Sequence, residues 1–264
     1  MHEPFVDIHC HILPGIDDGA KHWDDALAMA RLAADDGTTT IVATPHQLGS
    51  WSKNRGDEVR QLVAECNERI AAEKIPLTVL AGGEIRIEPA LIEQLVTGEL
   101  VTLGDHRRHV LLELPHELYF PLDGLMDELA ARRITVVLAH PERNEGILRQ
   151  PDFAVDLVDT GCLMQLTAGS LCGTMGPHVE EMAEWMIAEG LIHIVSTDGH
   201  GPRTRRPLMG RAHERICELA DVATADDLCG RAPARIAAGR SVITGRRTIR
   251  RHRRASWWSR RASA

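Results

Sequence analysis

The chain has 264 residues, 44% of them apolar, enough to bury the core of one large α/β domain or two small ones. Its charge is uneven: residues 246–264 hold eight arginines and no acid, which leaves −16 on the rest (22 basic, 38 acidic), a body that would repel nucleic acid. No run approaches the roughly 18 apolar residues that span a bilayer, and the start MHEPFVDIHCH has neither a basic head nor a signal-like apolar stretch, so the expected location is the cytoplasm.

Apolar or β-branched runs alternate with helical patterns along the chain. FVDIH precedes WDDALAMARLAADDG, TTIVATPH precedes DEVRQLVAECNERIAAE, and LTVLAGGE follows. HVLLELP then precedes LDGLMDELAARR, TVVLAH precedes DFAVDLVDTG, CLMQLTAG precedes PHVEEMAEWMIAEG, and IHIVSTDGH closes the series. Helices ending at Gly37, Gly161 and Gly190 have the expected left-handed C-terminal cap. Seven strand–helix repeats predict parallel strands with helices outside, buried on both faces because the strands are apolar nearly throughout. Closed, they make a barrel slightly smaller than the eight-stranded one; an open doubly wound sheet is the rival. One domain is expected over 1–245, followed by a disordered basic tail over 246–264.

In a closed parallel barrel, chemistry sits at the carboxyl ends of the strands. There the sequence places His9 and His11 (first strand), His46 (second), Glu84 (third), Glu113 (fourth), His140 (fifth), and Asp198 with His200 (seventh). Only the sixth, ending near Thr167, offers no strong ligand. Strand residues i and i+2 share a face, so His9 and His11 point one way and Cys10 the other, and Asp198 pairs with His200 likewise. Imidazole and carboxylate donors without thiolate suit Mn, Fe or Zn, and with Asp18 counted the set is too large for one ion.

Taken singly, such residues are ordinary. A lone histidine at a strand end is usually a satisfied core or loop group, the reading for His106, His109, His116, His178, His193 and His213. Either glutamate alone could cap a helix. Their joint placement argues otherwise, because burying ionisable groups unpaired at six of seven strand ends would cost several kcal/mol each. Asp17 and Asp18 are not separable by spacing: one could cap the helix near Trp23 while the other ligates.

The blocks DIHCHILPGIDDGA, TIVATPH, GGEIRI, LLELP, VLAHPERN and STDGH, in this order over residues 6–240, resemble the polymerase-and-histidinol-phosphatase (PHP) superfamily. Within it they resemble the manganese-dependent protein-tyrosine phosphatases of bacterial capsule and exopolysaccharide systems, the CpsB/YwqE/CapC type. The resemblance implies a distorted (β/α)7 TIM-like barrel and a site of three ions, manganese first, with iron or zinc as alternatives. It places the metal ligands at His9, His11, Asp18, His46, Glu84, Glu113, His140, Asp198 and His200. Phosphate-contacting arginines fall on Arg143 and Arg205, with Arg203 and Arg206 within a short slip of the latter. The implied partner is a phosphotyrosine-bearing bacterial tyrosine kinase. A histidinol-phosphate type of phosphatase, or a non-catalytic metal-stabilised regulator of the kinase, is the alternative.

Two other features carry a function reading. Residues 229–235, CGRAPAR, fit the C-x5-R signature of thiol phosphatases, but Pro233 removes a backbone donor from the cradle that phosphate needs, so Cys229 is expected to be a packed helix residue. The six cysteines, with no C-x-x-C, read as reduced small hydrophobes. In the tail, Trp257 and Trp258 among arginines suit peripheral contact with an anionic membrane, against the plainer reading of a solvated extension. An oligomer is compatible with the sequence, whose 3% aromatic content offers few interface anchors.

Overall fold

In the computed structural model, which describes residues 3–249, the seven apolar runs become nine strands, all paired in parallel. They are β1 (Phe5–Cys10), β2 (Thr38–Ala43), β3 (His46–Gln47), β4 (Thr78–Ala81), β5 (Glu84–Arg86), β6 (His109–Glu113), β7 (Thr135–Ala139), β8 (Leu163–Thr167) and β9 (Ile194–Ser196). Their hydrogen bonds form two sheets, β1-β2-β4 and β3-β5-β6-β7-β8-β9. The expected second and third strands are therefore each broken in two. Pro45, between β2 and β3, has no N–H to give a ladder. Gly82, between β4 and β5, crosses so near β2 that a Cβ there would stand 2.6 Å from Val42 Cγ1.

The ladder does not run unbroken around a ring, yet the strands still enclose one core. Val6 and Ile8 of β1, Val42 of β2, Leu111 of β6, Val137 of β7, Leu163 of β8 and Ile194 of β9 meet in a single buried cluster. First and last strands adjoin through the bridge Cys10–Gly199 and two hydrogen bonds, Asp198 N–H to His9 O and His11 N–H to Gly199 O, both 2.8 Å.

Around this array lie α1 (Trp23–Asp35), α2 (Gly56–Ala72), α3 (Leu91–Thr97), α4 (Asp123–Ala131), α5 (Glu145–Arg149), α6 (Asp152–Asp159), α7 (Ala168–Leu171), α8 (Pro177–Ala188), α9 (Gly210–Leu219), α10 (Val222–Asp226) and α11 (Ala232–Ala237). Two further apolar clusters join them to the outer strand faces. Among the described residues no helix is long and apolar enough to cross a membrane.

The arginine-rich stretch begins against this body. Arg247 N–H donates to Gly190 O at 2.8 Å and its guanidinium pairs with Asp227, while His193 Nε2 meets Gly245 O at 3.0 Å. Residues 250–264, including Trp257 and Trp258 and the proposed disorder of the tail, lie outside the described residues.

His193 makes folding sensitive to acid. Its buried Nδ1 accepts from Met164 N–H at 3.1 Å, which only the neutral ring can do, and burial pulls its pKa down to about 4, with Arg247 adding to the effect. Burial likewise brings His109 to about 4. Both rings contribute full stability above pH 6.5, and the contribution shrinks as pH falls from 6.5 toward 4, where the folded chain also takes up the proton. Each amounts to at most about 3 kcal/mol. Urea titrations at pH 7 and pH 5 are expected to show a smaller loss of stability for His193→Gln than for wild type; equal losses would assign the acid sensitivity elsewhere.

Candidate metal centre

Each strand of the array ends at one rim, and the register sets which side chains face inward there. At the end of β1, His9 Nδ1 lies 2.8 Å from Gln165 Oε1, and the same amide oxygen accepts from His140 N–H at 3.3 Å. His9 Nδ1 therefore carries the proton and its Nε2 presents a lone pair. His11 is set the same way by Asp17, whose Oδ2 accepts from Nδ1 at 2.8 Å. The two Nε2 atoms then face each other at 3.3 Å. At the other closing strand, His200 Nδ1–H donates to Asp198 O at 2.9 Å, turning Nε2 toward Asp18.

Carboxylates sit between these nitrogens. Glu84 Oε2 is 3.2, 3.3 and 3.1 Å from His9 Nε2, His11 Nε2 and His46 Nδ1, and Oε1 is 2.8 Å from His140 Nε2. Asp198 Oδ1 is 3.4 Å from nitrogens of His9, His11 and His200, buried and without a hydrogen-bond donor. Asp18 Oδ1 lies 3.4 Å from His46 Nε2 and 3.5 Å from His200 Nε2. Glu113 reaches both His46 and His140 at 3.9 Å. These contacts gather into four overlapping groups: His11, Asp18, His46 and His200; His9, His11 and Glu84; His9, His140 and Asp198; His46, Glu84 and Glu113. All nine residues expected as ligands are thus brought together.

His140 and Asp198 both hold left-handed backbone, at φ 33° and 52°, a costly conformation for these residues that the surrounding contacts maintain. Charge is redistributed accordingly. Burial would raise Glu84 and Asp198, but His9, His11 and their neighbours hold both well below the usual carboxylate range. Burial favours neutral His9 and His11, and the facing carboxylates override it, raising both rings. Burial and the nearby Glu84 charge push Glu113 up to about 7.

The two adjacent aspartates divide their work. Asp17 orients His11 and also accepts from His46 N–H at 3.1 Å and Gly19 N–H at 2.9 Å, whereas Asp18 faces His46 and His200. Neither caps α1, whose N-cap is His22 with no side-chain bond, a correction to the capping expectation.

Both arginines converge on Asp198 Oδ2: Arg143 Nη1 at 2.5 Å and Arg205 through Nη2. The nearby Arg203 and Arg206 are exposed. Arg205 Nε is buried with no hydrogen-bond partner, a donor free for an anion. Cys229 is fully buried within the helical turn Asp227–Arg231, and burial pushes its thiol far up, while Arg235 donates to Ser241 O. No thiol site is formed, and treatment of folded protein with iodoacetamide is expected to leave turnover unchanged; inactivation in step with Cys229 labelling would revive the thiol mechanism. Of the remaining histidines, His106, His193 and His213 are held by Ala237 O, Gly245 O and Asp226.

Sequence reasoning left the role of Asp17 open and passed over two supporting groups, Gln165 of β8 and Asp7, which binds the N–H groups of His9 and Thr197 at 3.1 Å each. Gln165 shares a strand face with Thr167 and so gives the sixth strand its part in the site. Removing such an orienting partner typically costs 10- to 100-fold in metal affinity or activity. Gln165→Ala is expected to lose activity within that range while metal stays measurable by elemental analysis; unchanged kinetics would deny it the orienting role.

Lone pairs of His9 and His11 opposed at 3.3 Å, with two carboxylate oxygens against them and one of these lacking any donor, form a face of acceptors that a cation would satisfy. The donor set suits a hard or borderline divalent ion. On a barrel-like parallel α/β scaffold, such a rim defines a metal-dependent hydrolase. The chain belongs to the CpsB/CapC family of capsular polysaccharide synthesis, which it matches over residues 5–238. It is 39% identical over 202 residues to the tyrosine-protein phosphatase YwqE of Bacillus subtilis, covering 76% of this chain and 79% of that one. To CapC of Staphylococcus aureus it is 34% identical over 205 residues, covering 77% and 80%. A crystal structure from the pair YwqE of Bacillus subtilis and CpsB of Streptococcus pneumoniae, metal-dependent tyrosine phosphatases, superposes with TM-score 0.86 at 32% identity. It covers 94% of this chain and 100% of the other.

Proposed function

We propose that the chain is a metal-dependent phosphatase that hydrolyses phosphotyrosine on a bacterial tyrosine kinase of capsule or exopolysaccharide synthesis, working in the cytoplasm. The observation that carries this reading is the convergence of five imidazoles and four carboxylates with two arginines at one rim. His9, His11, Asp18, His46, Glu84, Glu113, His140, Asp198 and His200 hold the ions, which we take to be three and manganese, with iron or zinc able to substitute. Bound divalent ions supply Lewis acidity and bring the pKa of water toward neutrality.

The remaining work falls to the chain's own groups. Gln165 and Asp17 fix the tautomers of His9 and His11 so that each Nε2 stays unprotonated. Arg143 and Arg205 offer N–H groups to the non-bridging phosphate oxygens and offset charge in the transition state. The phenolate of tyrosine, with a pKa of about 10, leaves without strong general-acid help.

Parallel assays with Mn²⁺ on a phosphotyrosine peptide, a phosphoserine peptide and histidinol phosphate test the reading. Phosphotyrosine is expected to be turned over at least about 100-fold faster than either other substrate. Preference for histidinol phosphate would make this a small-molecule phosphatase, and no turnover with bound metal would make it a regulator. The basic tail is a further part of the proposal, adding contact with anionic lipid. Liposome co-sedimentation of the full chain against a chain ending at Ile249, which keeps the Arg247 contacts, tests it; equal sedimentation would end it.

A further inference from the structure

On the His46 side of the site a cleft of about 160 Å³ opens between Leu48, Trp51, Arg86 and Glu113. His46 and Glu113 belong to the candidate metal centre; Leu48, Trp51 and Arg86 do not. The Trp51 indole lies near-parallel to the His46 imidazole, with 12° between planes and 6.4 Å between centroids. Its loop is held in one shape. Leu48 and Gly49 adopt left-handed backbone at φ 70° and 58°, and Trp51 N–H donates to Leu48 O at 2.9 Å. Buried Asn54 then fastens the loop to Ile16 O at 2.8 Å and His46 O at 2.9 Å. A Cβ at position 49 would stand 2.8 Å from Arg86 Cδ, so glycine lets the Arg86 stem lie along the loop.

An aromatic face and an alkyl stem thus flank a slot that starts at the donors of the rim. We infer that Trp51 determines specificity, its indole being the shelf on which the aromatic ring of an aryl phosphate rests while Arg143 and Arg205 take the phosphate. The inference rests on the phosphotyrosine reading and names the residue that recognises the ring. A flat ring gains by offset stacking on indole, which a serine phosphate cannot do. The slot is also smaller than the roughly 300 Å³ at which ordinary small-molecule pockets begin, so it suits one ring and not an extended sugar phosphate.

Binding of phenylphosphonate, a ring-bearing ligand with no ester to hydrolyse, and of inorganic phosphate, which has no ring, separates this role from general damage. Calorimetry on Mn²⁺-loaded full-length wild type, Trp51→Ala and Trp51→Phe gives the two dissociation constants for each protein. Wild type is expected to prefer phenylphosphonate, and Trp51→Ala to weaken it about 5- to 20-fold while changing phosphate less than twofold. Trp51→Phe should keep most of the preference. The inference is overturned if wild type binds both ligands equally, if Trp51→Ala weakens both alike, or if it leaves phenylphosphonate unchanged. Failure of wild type to hydrolyse phosphotyrosine would instead count against the phosphatase reading, since the ratio of binding constants is measured without turnover.

Discussion

Asp198→Ala is expected to lower kcat about 10²- to 10³-fold, the size of loss that follows removal of a central electrostatic group from an active site. One oxygen of this carboxylate faces His9, His11 and His200; the other receives Arg143 and Arg205. Alanine therefore removes an ion-holding group and leaves the two guanidinium groups without the anion that aligns them. His140→Ala removes only one imidazole, 2.8 Å from Glu84, yet it too is expected to stop turnover, because that ring completes the group it forms with His9 and Asp198. Steady-state assays of metal-replete protein check both variants. Retention of more than about a tenth of wild-type activity by either would count against its assignment.

Stripping metal with a chelator is expected to abolish activity, and adding Mn²⁺ back to restore it together with thermal stability. The rim holds Glu84 and Asp198 almost wholly buried against the Nε2 atoms of His9 and His11, and a cation among them would offset that buried negative charge. Such ions bind only the folded arrangement. At 100 times its dissociation constant a single such ligand adds about 2.7 kcal/mol of stability. Thermal unfolding with and without Mn²⁺, paired with elemental analysis, measures the effect. Absence of stoichiometric transition metal after reconstitution, with no upward shift in Tm, would remove the basis of the phosphatase reading.

The positions of the donors were legible because strands impose a period of two and a parallel barrel directs strand ends to one rim. His9 with His11, at the end of β1, follows from that rule; Asp198 and His200 lie beyond β9, which ends at Ser196, and Asp198 holds left-handed backbone, so the loop and not strand alternation places them, a correction to the expected pairing. Asp17 and Asp18 do not: both lie in the loop before α1, and only the contacts with His11 on one side and His46 and His200 on the other separate them. Gln165 escaped notice because a neutral amide within LMQLT carries no charge signal, and its value depends on two histidines far away in sequence. The break after β4 depends on the close approach of Gly82 to Val42. No local pattern encodes such a contact between strands. Arg205 was ambiguous with its neighbours by counting, whereas its side chain alone among the three is paired with Asp198.

The meeting of β1 with β9 also bears on when the protein becomes competent during synthesis. Ile8 bonds to Ser196 and Asp7 to Thr197 across separations of 188 and 190 residues. When Glu84 has left the ribosome His9 and His11 have too, but the segment that supplies Asp198, His200 and Arg205 has not. The full set of donors is therefore complete only after that segment emerges and docks against β1.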